Sequence, residues 1–288
     1  MIEIGINPDL FSVGSLTISW HGLLIALAIL AALISTVLWA RVTETEVEHV
    51  YSTAFWAVLG GIVGARLFHV LDRWDYYFPH NMLGAVKLWD GGLSLYGAIL
   101  GGLFFGALYA RLRGFRVGHL ANITAPGVLI AQMIGRVGCL INGDAYGTPS
   151  GLPWAVLYTH PNAAATAGPW ELGRLVAGHP VPIYEIIWDL FVLALLFLLW
   201  GRLRRDWTLF LTYISLYSFG RFFLSFLRDE QGEQAILGPL HLAHIISLLV
   251  IVIAVPYLIH FLRRPEREAE QAEVAAEVTT EAGEEETP

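Results

Sequence analysis

Charge is scarce in this chain of 288 residues. Only 15% are Asp, Glu, Lys or Arg, against about 25% in soluble globular domains. Cysteine is scarcer still. The single Cys139 excludes an intrachain disulfide framework and any metal site built on several cysteines. An excess of basic residues is also missing: Lys and Arg number 17 against 25 Asp and Glu, for a net charge of −8. The last 24 residues, Pro265–Pro288, hold nine Glu and one Arg and so carry the whole imbalance. With no basic face to meet phosphodiester backbones, nucleic acid is excluded as a partner. The first apolar stretch lacks the basic leader and small-residue cleavage site of a signal peptide. No Gly-Lys-Ser/Thr nucleotide loop follows a strand, and no repeat of fixed period is visible.

What the chain has instead is apolar length. Hydrophobic residues make up 56%, with a mean hydropathy of +0.58. A helix needs about 20 mostly apolar residues to cross a bilayer. Seven stretches qualify: Thr17–Ala40, Tyr51–Leu71, Gly91–Ala110, His119–Ile141, Val181–Trp200, Trp207–Phe226 and Leu240–Leu262. The fourth is the weakest, since it holds Pro126, Gln132 and Arg136. With the N-terminus outside, ten Lys/Arg fall in inside segments and four in outside ones. The positive-inside rule therefore favours an N-out, C-in orientation. The expected architecture is an all-α integral membrane protein, a bundle of seven transmembrane helices. Residues 1–264 form the membrane domain, with a small cap at about 142–180 on the outer side. Residues 265–288 are expected to be a disordered acidic cytosolic tail, because Glu and Ala there offer nothing to bury. The spacings Gly60-x3-Gly64, Gly97-x3-Gly101 and Gly102-x3-Gly106 are read as helix-packing positions, where backbones approach closely.

Ionisable groups inside spans are costly and so are candidates for function. Arg66, Arg136 and Arg221 lie within spans, as do Glu185 and Asp189, four residues apart on one helical face. Guanidinium groups grip phosphate through a planar fork of donors, so converging arginines would hold a phospholipid headgroup. Glu185 and Asp189 could equally pair with them as structural ions. The densest polar cluster runs from Gly135 to Gly147, Gly-Arg-Val-Gly-Cys-Leu-Ile-Asn-Gly-Asp-Ala-Tyr-Gly. It combines a bendable backbone with a cation, an amide and a carboxylate in Arg136, Asn142 and Asp144.

That cluster resembles the signature of the prolipoprotein diacylglyceryl transferases, Gly-Arg-x-Gly-Asn-Phe-x-Asn-x-Glu-x-x-Gly. Four further stretches match the family in the same order: Ile18-Ser-Trp-His-Gly22, the segment Trp89–Gly101, His179-Pro-Val-Pro-Ile-Tyr-Glu185 and Tyr217-Ser-Phe-Gly-Arg221. The resemblance covers roughly residues 5–262 of the sequence. It implies a bacterial inner-membrane enzyme that moves the diacylglyceryl group of phosphatidylglycerol to the thiol of a lipobox cysteine. The acceptor is a prolipoprotein signal peptide and the leaving group is glycerol phosphate. No cofactor is implied, since the nucleophile belongs to the substrate. Carried over position by position, the catalytic set is His21, Tyr96, Arg136, Asp144 and Arg221. Arg66, Cys139, Asn142, Gly147, Tyr184, Glu185 and Tyr217 are assigned to substrate binding. Both substrates are membrane-tethered, so a lateral opening to lipid is expected. A non-catalytic lipid-binding relative and a small-anion transporter are the other readings weighed.

The sequence departs from the family at five places. Cys139 stands for the signature Asn, Asp144 for its Glu, Tyr96 for a His, His21 for a Tyr, and Ser225 for a Glu. His21 and Tyr96 look like a reciprocal exchange, with both positions facing one cavity and His21 supplying the imidazole; the other reading is that neither moves a proton, Tyr96 orients the headgroup or Asp144, and nearby cations stabilise the thiolate. Cys139 is read as packing rather than as an enzyme nucleophile. No metal site is expected: His241, His244 and His260 lack partners at ligand spacing. They are given an outer-surface or lipid-interface role instead. Trp154, Trp170, Trp188, Trp200 and Trp207 fit an aromatic belt. If His21 handles the proton, His21→Ala and His21→Gln each lower transfer to a lipobox peptide by about 10²-fold. Near-full activity in both would end that assignment.

Overall fold

The computed structural model describes residues 1–14, 16–78, 82–87, 91–167, 176–229 and 236–263. The acidic tail and the motif residues Trp89 and Asp90 lie outside the described residues, as does Trp170. All seven expected spans are helices long and apolar enough to cross a membrane. In order they are Trp20–Val42, Val47–Asp72, Leu95–Leu112, Val117–Asn142, Val181–Leu199, Thr208–Leu224 and Leu242–Arg263, with a 3-10 turn, Ser225–Leu227, extending the sixth. The fourth is continuous through Pro126. The architecture is that of an all-α integral membrane protein, with the small amount of strand structure described below.

The chain divides into two compact units. One joins Met1–Ser35 to the described residues from Ala121 onward; the other is Thr36–Leu120.

In the first unit, apolar side chains of the fourth, fifth and sixth spans form a core. Ala125, Leu129, Val192, Leu193, Leu196, Leu209 and Tyr213 are its buried members. The fifth span shows how a membrane helix sorts its faces. Glu185, Asp189, Val192 and Leu196 recur at helical spacing and are buried, while Ile187, Leu190, Phe191 and Leu198 are exposed. Charge turns inward and hydrocarbon outward, the arrangement a bilayer selects. Hydroxyls within spans return to their own backbone: Thr212 Oγ1 donates to Thr208 O at 2.8 Å and Ser247 Oγ to Ala243 O at 2.7 Å. The Asn122 amide bridges two segments, donating to Arg205 O at 2.7 Å and accepting from Phe210 N at 3.0 Å.

Among the described residues, four short strands, absent from the sequence expectation, complete this unit. β1 (Ile2–Ile4) pairs in parallel with β4 (Val156–Tyr158), and β2 (Asp9–Val13) forms an antiparallel hairpin with β3 (Leu16–Ser19). The first span accordingly begins at Trp20 rather than Thr17. The expected cap is thus stitched to the N-terminal segment.

In the second unit, the second and third spans pack with glycine backbones against each other. A Cβ on Gly64 would lie 2.9 Å from Gly101 Cα, and one on Gly101 would lie 2.9 Å from Gly64 Cα. Gly97 and Gly64 each face the other's carbonyl oxygen. Gly106, facing Ala57 at 3.1 Å, extends the same seam. The glycine spacings are therefore packing devices, as small-x3-small patterns lead one to expect.

Because backbone, not a yielding side chain, fills the space, Gly64→Ala is expected to destabilise the protein by about 1–3 kcal/mol, despite alanine's better helix propensity. Gly151→Ala, with open space around it, is the matched control. Thermal unfolding in detergent reads both, and an unchanged midpoint for Gly64→Ala would contradict the seam.

Candidate active site

Three spans of the first unit deliver one ionic cluster. Glu185 sits in the first turns of the fifth span, Arg136 near the end of the fourth and Arg221 near the end of the sixth. Arg221 Nη1 donates to Glu185 Oε1 at 2.6 Å. Arg136 Nε lies 2.9 Å from Glu185 Oε2 as a charge contact, not an aligned hydrogen bond. One carboxylate is thus held between two guanidinium groups. Glu185 is 6% exposed, against 19% and 16% for the two arginine side chains. Each fork carries five N–H donors, and Glu185 contacts one nitrogen of each. The arginines are therefore fixed in position without being consumed. Asp189, one turn on, is buried with Oδ2 unpartnered. Tyr217 and Asp189 lie within electrostatic reach of Arg136.

The signature continues from that cluster out of the membrane helix. The fourth span ends at Asn142, and Gly143, at φ +74°, takes the left-handed conformation that terminates it. Gly143 N closes the last turn on Cys139 O at 2.8 Å. Tyr158 from β4 donates its hydroxyl to Leu140 O at 2.9 Å, satisfying a helix-end carbonyl. Burial, with Asp144 and Cys139 nearby, pushes the Tyr158 phenol well above its ordinary pKa, so it remains a donor. The turn at Gly143 brings Asp144 back toward the helix, where Asn142 Nδ2 donates to its Oδ2 at 3.0 Å. His21 arrives from the second residue of the first span. Its Nδ1 is 3.1 Å from where a Cβ on Gly138 would sit, so the missing side chain lets the imidazole in. One side-chain donor atom each from His21, Cys139 and Asp144 lies within 4.8 Å of the others. Arg136 Nη1 reaches Cys139 Sγ at 4.0 Å, linking this trio to the ionic cluster.

The remaining expected site residues have identifiable work. Gly147 is a pinch point: a Cβ there would lie 2.6 Å from His179 O and 2.7 Å from Leu227 O. Thr148 N donates to Leu227 O at 2.9 Å and His179 N to Thr148 O at 3.1 Å. Gly147 therefore ties the cap to the entry of the fifth span and the end of the sixth. Tyr184 OH accepts from Trp154 Nε1 at 2.8 Å and lies 3.4 Å from His179 Nδ1, which makes it a cap anchor. Tyr217 packs at a tilt against Tyr213, with ring centroids 6.1 Å apart. Arg66 and Tyr96 belong to the other unit. Tyr96 begins the third span and is 42% exposed.

Two expectations, those for His244 and Trp188, need correction. Arg66 is held by main-chain carbonyls. It donates to Ala85 O at 2.9 Å, Gly91 O at 2.5 Å, Gly92 O at 2.9 Å and Gly84 O at 2.5 Å, and it faces the Tyr77 ring at 5.4 Å. Its charge organises the segment before the third span, because main-chain carbonyls in an apolar setting need a donor. His244 is 1% exposed rather than at the surface, its ring 4.2 Å from Phe226 and 5.5 Å from Phe222. Trp188 is no belt residue. Its Nε1 donates to Leu216 O at 3.0 Å, and its indole occupies the space where a Cβ on Gly220 would be. Ser225 is buried and donates back to Arg221 O at 2.7 Å.

Fold and site together define a multi-span membrane protein with a carboxylate-clamped pair of arginines beside a glycine-rich helix end. A family profile described as prolipoprotein diacylglyceryl transferase matches residues 8–260. Relatives named phosphatidylglycerol–prolipoprotein diacylglyceryl transferase include one from Dehalococcoides mccartyi, 37% identical over 94% of this chain and 99% of its own length. Others come from Acaryochloris marina, 35% identical over 92% and 95%, and Gloeobacter violaceus, 32% identical over 91% and 95%. The chain belongs to the prolipoprotein diacylglyceryl transferase family.

Removing the shared carboxylate would leave two guanidiniums facing each other with nothing between them. Glu185→Ala is expected to cost about 3–5 kcal/mol, the range for breaking one side of a buried ion pair. Denaturant unfolding in detergent measures it, and a loss below about 1 kcal/mol would show that the triad is not a structural keystone.

Proposed function

We propose that this chain transfers the diacylglyceryl group of phosphatidylglycerol to the thiol of a lipobox cysteine in a prolipoprotein signal peptide, releasing glycerol phosphate. The observation that carries this reading is Glu185 holding Arg136 and Arg221 together at the helix-end signature, in a chain of this family. The reaction breaks a C–O bond to a phosphodiester and leaves a second negative charge on the departing phosphate. Two guanidiniums already fixed in place meet that charge without reorganising, and they act strongly in a poorly hydrated site. Asn142 and Asp144 line the approach from the cap side. His21 supplies the imidazole nearest the Cys139–Asp144 edge. The substrate thiol, with an ordinary pKa near 8.5, is a weak nucleophile until it loses its proton, and His21 and its neighbours serve that step.

The protein is placed in the bacterial inner membrane with its N-terminus outside. The orientation follows from the distribution of Lys and Arg between short loops, and the inner membrane from the family reading. Both substrates would reach the site laterally through lipid.

The assay uses the purified full chain in liposomes containing phosphatidylglycerol, with a lipobox peptide and its Cys→Ser version. Thioether product and released glycerol phosphate are expected with the Cys peptide only. Arg136→Ala and Arg221→Ala are each expected to lower the rate by about 10²–10³-fold, the effect of losing one fixed electrostatic donor. Phosphatidylglycerol binding without product in the wild-type protein would overturn the reading in favour of a binding-only relative.

A further inference from the structure

Three of the five departures from the family pattern converge on one point. His21, Cys139 and Asp144 come from the start of the first span, the last turn of the fourth span and the loop after it. Cys139 and Asp144 share one helix-end turn and His21 comes from a distant segment, and one donor atom of each lies within 4.8 Å of the others. We infer that this trio is a three-ligand site for a divalent, borderline-soft cation, with Zn²⁺ the natural occupant, and that the bound ion activates the substrate thiol. The inference rests on the transferase reading above and deepens it.

The donor chemistry is specific. Imidazole nitrogen, thiolate sulfur and carboxylate oxygen are the three ligand types of zinc, and a thiolate in the set disfavours Mg²⁺ and Ca²⁺. Two anionic ligands and one neutral one balance a divalent charge, so the site can sit near Arg136 without a net local excess. A separate observation points to a ligand: His21 Nδ1 is buried and has no hydrogen-bond partner among the described residues, a state that native proteins seldom leave without an explanation. Asn142 Nδ2, donating to Asp144 Oδ2 at 3.0 Å, supplies the outer hydrogen bond that holds a ligating carboxylate in place.

Three protein ligands leave a tetrahedral ion one further position, which is what separates reactive zinc sites from structural ones. The lipobox cysteine fits that position. Its thiol binds the ion and releases its proton to solvent, because a coordinated thiol is deprotonated. The thiolate attacks the glyceryl carbon that bears the phosphate. The new C–S bond forms as the C–O bond breaks, and the electron pair leaves on the phosphate oxygen facing Arg136 and Arg221. Glycerol phosphate departs, and the neutral thioether, a weaker ligand than thiolate, releases the ion. No oxidant or reductant is involved.

Cobalt reports on such a site because thiolate-to-Co²⁺ charge transfer gives a near-ultraviolet band. The full-length protein in detergent, stripped by a chelator and titrated with Co²⁺ alone, is expected to develop that band. Cys139→Ser should abolish it, and His21→Gln should weaken Co²⁺ binding by at least about 10-fold. Adding the lipobox peptide should intensify the band, whereas the Cys→Ser peptide should not. In parallel, stripping the metal should lower transfer about 10- to 30-fold at pH 7, since only about 3% of a thiol with a pKa near 8.5 is ionised there, and Zn²⁺ should restore it. The inference is overturned if the wild type shows no band or if Cys139→Ser retains it. It is equally overturned if transfer is unchanged or raised in protein verified to be metal-free. A peptide-responsive cobalt band with no glycerol phosphate release from zinc-loaded wild type would instead uphold the site and refute the transferase reading.

Discussion

The structure turns on one carboxylate shared by two arginines. Taking three charges out of water is expensive, and a buried ion cluster is seldom the cheapest way to stabilise a fold. Within membrane spans the cost is higher, because no nearby water can relieve an imperfect pairing. Glu185 makes the arrangement tolerable by reaching Arg136 and Arg221 at once, through different oxygens. That requires the fourth, fifth and sixth spans to approach with their register fixed. The core of Leu129, Val192, Leu196 and Leu209 and the seating of Trp188 on Gly220 supply the fixing. Apolar packing thus sets the geometry, and the ions convert that geometry into a rigid, electropositive anchor.

The same logic separates Arg66 from the other two arginines. In sequence all three look alike: one cation in an apolar run beside glycine. What differs is the partner. Arg66 meets main-chain carbonyls of residues 84, 85, 91 and 92, which are acceptors without formal charge and arranged in a shell around it. Such a shell occupies four of the guanidinium's five N–H donors. Arg136 and Arg221 share Glu185, and Arg136 also reaches Cys139 Sγ. A charged residue within a span is therefore a pointer to function only after its hydrogen bonds are accounted for.

How legible the molecule is in its sequence follows from the range of each interaction. The seven spans are visible because bilayer thickness fixes helix length and composition residue by residue. The glycine seam between the second and third spans is visible because Gly60, Gly64, Gly97 and Gly101 recur at helical spacing. The pairing of β1 with β4 is not, since strands of three residues carry almost no pattern and their register is set by a partner far along the chain. Trp188 and His244 are misplaced by the sequence for a related reason. Trp and His at span ends suit both an interface and a core, and only the presence of Gly220, Phe222 and Phe226 opposite them decides. The signature from Gly135 to Gly147 is readable as a unit, but its division of labour is not. Gly143 ends the helix, Gly138 admits His21, and Gly147 accepts two backbones.

The departures from the family pattern are better understood as a linked set than as separate losses. Replacing the signature Asn by Cys139 removes an amide, and replacing Glu by Asp144 shortens a carboxylate. Placing His21 where a phenol usually stands exchanges a weakly acidic group for a base. Taken singly, each change weakens a hydrogen-bonded site. Together they put a thiol, an imidazole and a carboxylate around one point. This combination offers acid–base and ligand chemistry that amides and phenols lack. Cys139 and Asp144 meet through the local turn at Gly143, and His21 joins them from a distant segment because Gly138 leaves room for its ring.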